Sequence, residues 1–131
     1  MIRVFIADDH AVVRQGIVRI LADAPDVVLV GEGADAADAR KLALTAEADA
    51  CVLDLAMPGG GVDFVNELHE LRPRLRILVF TMHKEQQYAL RVLAAGASGF
   101  LGKGCPPEEL LAAIRSMASG RRYLSDEVAE L

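Results

Sequence analysis

Short apolar runs alternate along this chain with longer stretches in which apolar residues recur every three or four positions. The runs indicate β-strands, and three of them are hydrophobic almost throughout, as expected for parallel strands covered on both faces. The predicted strands span residues 2–7, 27–33, 50–55, 76–81 and 98–103.

The stretches between these runs predict helices. In the first stretch, Val13, Ile17 and Leu21 fall on one helical face. The other predicted helices span residues 36–47, 63–71, 86–96 and 106–120. Strands that alternate strictly with helices predict an α/β fold, in which a parallel sheet carries helices on both faces. Ligands of such a sheet bind beyond the carboxyl ends of its strands.

The composition fits one compact domain. The chain has 131 residues, of which 53% are hydrophobic, which is enough for one core and too few for two ordinary domains. Its net charge is −5 and its 14 Lys and Arg residues are scattered, so it lacks the basic stretch of a nucleic-acid binder. It shows neither a secretory signal pattern nor the roughly 20 apolar residues of a membrane span. We therefore predict a cytoplasmic protein without membrane contact.

Charged residues stand where predicted strands end. Asp8 and Asp9 follow the first strand, Asp54 lies near the end of the third, and Lys103 ends the last. Three carboxylates brought together repel one another unless a cation compensates, and Mg²⁺ prefers such oxygen ligands. A carboxylate can also form an aspartyl phosphate, and an ammonium can bind phosphate oxygens. The pattern predicts a metal and phosphoryl site, with Asp54 as the nucleophile.

Each of these residues also has an ordinary explanation. An acidic pair often caps a helix, and Thr81, which ends the fourth strand and can donate a hydrogen bond to a phosphoryl oxygen, is a common strand residue. The two cysteines, Cys51 and Cys105, lack metal-binding spacing and are predicted to be free thiols. The coincidence of the polar residues at several strand ends is what favours a functional site.

Taken together, these features resemble the receiver domain of two-component response regulators. The resemblance covers about residues 1–120 and implies a flavodoxin-like fold, whose five parallel strands lie in the order 2-1-3-4-5. The residues that carry it are Asp8, Asp9, Asp54 with Met57 and Pro58, Thr81, the segment 95–100, and Lys103.

The resemblance also implies roles for particular residues. A sensor histidine kinase would phosphorylate Asp54, with Mg²⁺ or Mn²⁺ held by Asp9, Asp54 and the backbone carbonyl of Ala56. Asp8 would assist the metal, mostly through water. Such a protein accepts and loses a phosphoryl group by itself and is not otherwise an enzyme.

Further positions would read or tune the phosphorylated state. Lys103 would bind a phosphate oxygen, and Thr81 and Phe100 would form a switch pair, in which the aromatic ring follows the threonine as it moves toward the phosphate. Ala56 and His83 occupy positions that affect dephosphorylation in this family. The switch would act on the surface of the fourth helix, fifth strand and fifth helix, through which we expect a phosphorylation-dependent homodimer.

Finer features resemble the subfamily with NarL/LuxR-type helix-turn-helix output domains. These are Asp-Asp-His at residues 8–10, Thr-Met-His at 81–83 and the tail at 120–131. We expect the receiver domain to span 1–120, and residues 121–131, with Leu124, Val128 and Leu131 spaced as on a helix, to begin a linker helix. Any DNA contact would come from an output domain that is absent here.

Some features depart from the family pattern. Gly104 follows Lys103 where proline is common, which leaves the conformation of that peptide bond open. The loop after Pro58 reads Gly-Gly-Gly, and Met82 is expected to narrow access to the phosphoryl site.

Three alternatives stay open at this point. A phosphohydrolase of the haloacid-dehalogenase type uses a similar aspartate but needs a second one at the position of Ala56. A receiver-like module that takes no phosphate, or a receiver with a different or no output domain, would have the same fold.

Overall fold

Six parallel strands form one sheet in this structure, a computed structural model that describes residues 1–82 and 87–124. Their order is β2-β1-β3-β4-β5-β6, so the predicted order of the first five strands and the flavodoxin-like fold are confirmed. The strands are β1 (Ile2–Ala7), β2 (Val27–Gly33), β3 (Ala50–Leu53), β4 (Arg76–Thr81), β5 (Gly99–Gly102) and β6 (Tyr123–Leu124).

Helices cover both faces of this sheet. The helices are α1 (Ala11–Ala22), α2 (Ala36–Thr45), α3 (Val62–Leu71), α4 (Ala89–Ala94) and α5 (Pro107–Ala118). Apolar residues of α1 and α5 share one buried cluster with Ile6 and Leu78, and those of α2, α3 and α4 share another with Phe5 and Val79. Each central strand is therefore buried on both sides, which explains its unbroken hydrophobic run.

The sixth strand corrects the prediction for the start of the tail. Tyr123 and Leu124 pair in parallel with Gly99 and Phe100, and the Tyr123 amide donates a hydrogen bond to the Ser98 carbonyl at 2.9 Å. An edge strand offers unpaired backbone groups, and those of β5 pair with these two residues, which are therefore strand and not helix. The rest of the predicted linker helix lies outside the described residues, and the domain boundary at residue 120 stays a prediction.

Several strands and helices end a few residues away from their predicted ends. β3 ends at Leu53 and β5 at Gly102, which leaves Asp54 and Lys103 just beyond the strands. Gly96 has a φ of 117°, the left-handed conformation expected of a glycine after a helix. In residues 1–82 and 87–124, no helix has both the length and the apolar character to cross a membrane.

Candidate functional site

Backbone hydrogen bonds bring the predicted site residues to one edge of the sheet. The Asp8 amide donates to the Gly33 carbonyl at 3.0 Å, and the Asp54 amide donates to the Ala7 carbonyl at 2.9 Å. The Lys103 amide likewise donates to the Thr81 carbonyl at 2.8 Å. The ladder between neighbouring strands thus continues past their last residues and fixes where each side chain starts.

Lys103 joins the two buried carboxylates. Its Nζ lies 2.9 Å from Asp8 Oδ2 and 3.4 Å from Asp54 Oδ2. The lysine side chain is only 8% exposed, and the carboxylates are more deeply buried still. Because water screens this group of charges poorly, the ammonium is a strong counter-charge for both aspartates.

Asp54 has one satisfied oxygen and one unsatisfied oxygen. Oδ1 accepts a hydrogen bond from the Ala56 amide at 3.2 Å. Oδ2 is buried and has no hydrogen-bond partner in the described part of the chain, although the Lys103 ion pair reaches it. Burial, and then the negative charge of Asp8, raise the pKa of Asp54 to about 6, against the lowering effects of the Ala56 amide and Lys103. A further positive ligand at this oxygen would therefore favour the ionised carboxylate.

The acidic pair divides into a buried and an exposed member. Asp8 Oδ1 accepts a hydrogen bond from the His10 amide at 2.8 Å, and the Asp8 backbone carbonyl accepts one from the Arg14 guanidinium. The Asp9 side chain is 36% exposed, against 4% for Asp8. Asp8 is thus committed to contacts within the protein, whereas Asp9 is accessible to an incoming cation.

His10 belongs to the site, although sequence reasoning gave it no role there. Its Nδ1 lies 3.0 Å from Asp8 Oδ1, 3.2 Å from Asp9 Oδ1 and 3.7 Å from Asp54 Oδ2. The signal was present in the sequence, because histidine is a common metal ligand and here directly follows two carboxylates.

The donor set fits a divalent cation. One ligand atom from each of Asp8, Asp9, His10 and Asp54 lies within 4.8 Å of all the others. A bound cation would give the Oδ2 atom of Asp54 a partner. A buried carboxylate oxygen without one costs free energy, because it has lost its contacts with water. The three predicted carboxylates are therefore together, as the sequence indicated.

Ala56 and the glycines after Pro58 form the loop beside Asp54. Ala56 is exposed, and its amide contact to Asp54 places its backbone against the site. Gly60 lies so close to the chain that a Cβ there would meet the Leu55 carbonyl oxygen at 2.8 Å and the Met57 carbonyl oxygen at 2.9 Å. The unusual glycines thus allow a tight turn that keeps the Ala56 backbone next to the nucleophile candidate.

Thr81 and Phe100 lie on the same face of the sheet. Phe100 pairs with Val79, and Thr81 is two residues further along β4, so their side chains share a face. Both are fully buried, and Phe100 belongs to the cluster that contains Ala89 and Val92 of α4. Thr81 and Phe100 thus share the sheet face that α4 covers, and their role as a switch pair stays a prediction.

Three further positions were singled out in the sequence: the Lys103–Gly104 peptide bond, Met82 and His83. The Lys103–Gly104 peptide is trans, since no cis bond occurs in residues 1–82 and 87–124. The Met82 side chain is exposed at the end of β4, and its effect on access stays a prediction. His83, predicted to tune dephosphorylation, lies outside the described residues.

Known proteins resemble the chain along almost its whole length. The family model described as the response regulator receiver domain matches residues 4–115. The response regulator UvrY of Escherichia coli (strain K12) is 39% identical over 131 residues, which are 99% of this chain and 60% of UvrY. The chain thus spans about 60% of the length of that curated relative.

Solved structures agree with this family match. The crystal structure of a LuxR-family two-component response regulator from Aurantimonas sp. SI85-9A1 superposes with a TM-score of 0.90 at 38% identity, covering 98% of this chain and 92% of that one. A structure of two RcsB dimers bound to two parallel DNAs gives a TM-score of 0.90 at 28% identity, covering 98% of this chain and 66% of that one.

Proposed function

Because the chain belongs to the response regulator receiver domain family, we propose that Asp54 accepts a phosphoryl group from a sensor histidine kinase. The observation that carries this assignment is the unsatisfied Oδ2 of Asp54, a buried carboxylate oxygen 3.4 Å from the Lys103 ammonium. The oxygen is a nucleophile without a hydrogen bond to break, and the ammonium beside it can compensate the charge of an arriving phosphate.

The transfer exchanges one bond to phosphorus for another. A carboxylate oxygen of Asp54 attacks the phosphorus of a phosphohistidine, the P–N bond breaks, and the imidazole leaves with the bonding electron pair and takes up a proton. Lys103 binds a phosphoryl oxygen, and in doing so loosens its contact with Asp54. Thr81 donates its hydroxyl to another oxygen, and Phe100 moves with it.

Asp9, Asp54 and the Ala56 carbonyl are proposed to hold Mg²⁺ or Mn²⁺, with Asp8 assisting. When bound, the ion neutralises phosphate charge that Lys103 alone cannot compensate. The chain's own part is to keep Asp54 ionised and correctly placed, which the Ala56 amide and Lys103 both favour.

Intact mass after incubation with acetyl phosphate and Mg²⁺ tests the acceptor. We expect one added phosphoryl group in the native chain and in the exposed control Asp23→Asn, and none in Asp54→Asn. An equal gain of mass in Asp54→Asn would show that another residue is the acceptor.

The chain is proposed to act as a switch and not as a turnover enzyme. A haloacid-dehalogenase-type hydrolase needs a second aspartate as general acid at the position of Ala56, which carries no ionisable group. We therefore expect no sustained release of phosphate from a phosphomonoester. Multiple turnovers would favour the hydrolase instead.

The output is proposed to be transcriptional. A NarL/LuxR-type helix-turn-helix domain would follow residues 121–131, and phosphorylated chains would dimerise in the cytoplasm through α4, β5 and α5. The LuxR-family neighbour and the RcsB dimers on DNA support this proposal. Sedimentation of free and phosphorylated protein tests the dimer, and two monomeric samples would contradict it.

A further inference from the structure

We propose that His10 is a ligand of the bound cation and shifts the site's preference from Mg²⁺ toward a first-row transition ion such as Mn²⁺. This inference rests on the metal site of the proposed function and adds a ligand to it. It starts from the position of Nδ1, which faces three carboxylates, and from the unsatisfied buried oxygen of Asp54.

The spacing of the donor atoms is that of neighbouring ligands. Two ligands at right angles around an ion with bonds of about 2.1 Å lie about 3.0 Å apart. Nδ1 of His10 is 3.0 Å from Asp8 Oδ1 and 3.2 Å from Asp9 Oδ1. It is 3.7 Å from Asp54 Oδ2, a distance that a small inward movement would close. The His10 nitrogen and the carboxylate oxygens of Asp9 and Asp54 can thus surround a single ion from one side, with Asp8 Oδ1 hydrogen-bonded beside them.

The local backbone holds the imidazole in this position. His10 precedes the first residue of α1 in an extended conformation, with φ −92° and ψ 104°. Its amide donates to Asp8 Oδ1 at 2.8 Å, so the chain folds back over the site. The imidazole approaches from the solvent side, with its side chain 53% exposed, while the carboxylates of Asp8 and Asp54 lie beneath it.

Asp54 supplies the independent evidence that this place receives a ligand. Its Oδ2 is buried with no hydrogen-bond partner in the described part of the chain. The nearest cationic atom is Lys103 Nζ at 3.4 Å, which is also 3.3 Å from His10 Nδ1. Lysine, histidine and this oxygen therefore lie close together, and an ion that contacts both Nδ1 and Oδ2 would lie on the side away from the ammonium, which repels it.

The nitrogen changes which ion the site prefers. Mg²⁺ favours oxygen ligands and retains water, whereas imidazole suits first-row transition ions. With His10 as a ligand, a transition ion gains a bond that Mg²⁺ gains only weakly. Removing the imidazole should weaken Mn²⁺ binding about tenfold, since even partners outside the coordination sphere commonly change affinity by that much. Mg²⁺ affinity should change much less.

Electron spin echo spectroscopy of bound Mn²⁺ tests the ligand directly, because a coordinated imidazole produces ¹⁴N modulation. The chain has three histidines, so each can be replaced in turn in a buffer without imidazole. We expect the modulation in the native chain, in His69→Ala and in His83→Ala, and its loss in His10→Ala. Calorimetric titrations with Mn²⁺ and with Mg²⁺ measure the two affinities. The tenfold loss of Mn²⁺ affinity should appear in His10→Ala and not in the other two variants.

The outcomes separate this inference from the proposed function. If the native chain binds Mn²⁺ without ¹⁴N modulation, or if His10→Ala weakens both ions equally, His10 is not a selective ligand, and the carboxylate site stands. Asp9→Asn should weaken both ions. If the native chain binds neither ion, the metal site of the proposed function fails as well.

Discussion

The Lys103 ammonium lies closer to Asp8 than to Asp54. Nζ is 2.9 Å from Asp8 Oδ2 and 3.4 Å from Asp54 Oδ2. The lysine is therefore held mainly by the acid that is not the proposed acceptor. This arrangement keeps the ammonium next to Asp54 in a longer contact, which Lys103 can loosen when it binds a phosphoryl oxygen.

Asp8 and Lys103 should move the pKa of Asp54 in opposite directions. Asp8 raises it through charge repulsion, and Lys103 lowers it because its positive charge favours the ionised carboxylate. We expect a lower pKa for Asp54 in Asp8→Asn and a higher one in Lys103→Gln, measured by ¹³C NMR of the side-chain carboxyl without metal. Asp26→Asn, a change at the exposed Arg115 ion pair, should leave it unchanged. Shifts of the same sign in the first two variants would contradict the geometry.

Asp54 should destabilise the metal-free fold at neutral pH. Its pKa is raised from 3.8 to about 6, so between these values the native state holds a proton that the unfolded chain has released. The contribution of this group to stability is present below pH 4 and is lost as the pH rises through 6. Asp54→Asn should therefore unfold with a free energy larger by up to about 3 kcal/mol at pH 7.5, since one pKa unit corresponds to about 1.4 kcal/mol.

Urea unfolding in EDTA at several pH values measures this difference. The gap between variant and native chain should shrink toward pH 4, where both carry a neutral group. Saturating Mg²⁺ should also narrow it, because the ion binds the native carboxylate site and stabilises it. A gap that stays constant with pH would contradict the raised pKa.

Two glycines should respond oppositely to the same substitution. A Cβ at Gly60 would meet two carbonyl oxygens at under 3 Å, so Gly60→Ala should cost about 1–3 kcal/mol, a typical loss for a strained position. Gly16 lies exposed within α1 with nothing within 4 Å of its Cβ position. Gly16→Ala should stabilise by up to about 1 kcal/mol through helix propensity. Thermal unfolding measures both, and a Gly60→Ala variant of native stability would contradict the loop geometry.

The two thiols should differ in reactivity. Burial raises the pKa of the Cys51 thiol, and burial together with Glu109 raises that of the partly exposed Cys105. A disulfide reagent at pH 8 should label Cys105 first and Cys51 only after unfolding, because the thiolate is the reactive form. In Cys105→Ser, rapid labelling should disappear. Rapid labelling of Cys51 in the folded chain would show that β3 opens more readily than its burial implies.

Basic residues show how the fold can group what the sequence separates. Lysines and arginines are scattered along the chain, yet Arg72, Arg74 and Arg76 line one cavity of about 490 Å³. Arg76 also lines a second cavity, of about 240 Å³, with Arg121 and Arg122. The sequence has no basic stretch, and the fold nevertheless brings these arginines together at the amino ends of the strands.

The sequence by itself determined the succession of strands and helices along the chain, their buried faces and the sheet edge at which Asp8, Asp54 and Lys103 meet. Periodicity and strand ends are local properties, and a parallel sheet converts them directly into position. The resemblance of the same residues to receiver domains then pointed to the family that the comparisons show.

Only the tertiary structure decided how the side chains at that edge are paired. The approach of His10 to the carboxylates, the closer pairing of Lys103 with Asp8 and the capture of Tyr123 by β5 depend on contacts between distant or turn residues. No periodic pattern encodes such contacts, because they are set by loop conformation and by the charges that surround each group once the chain has folded.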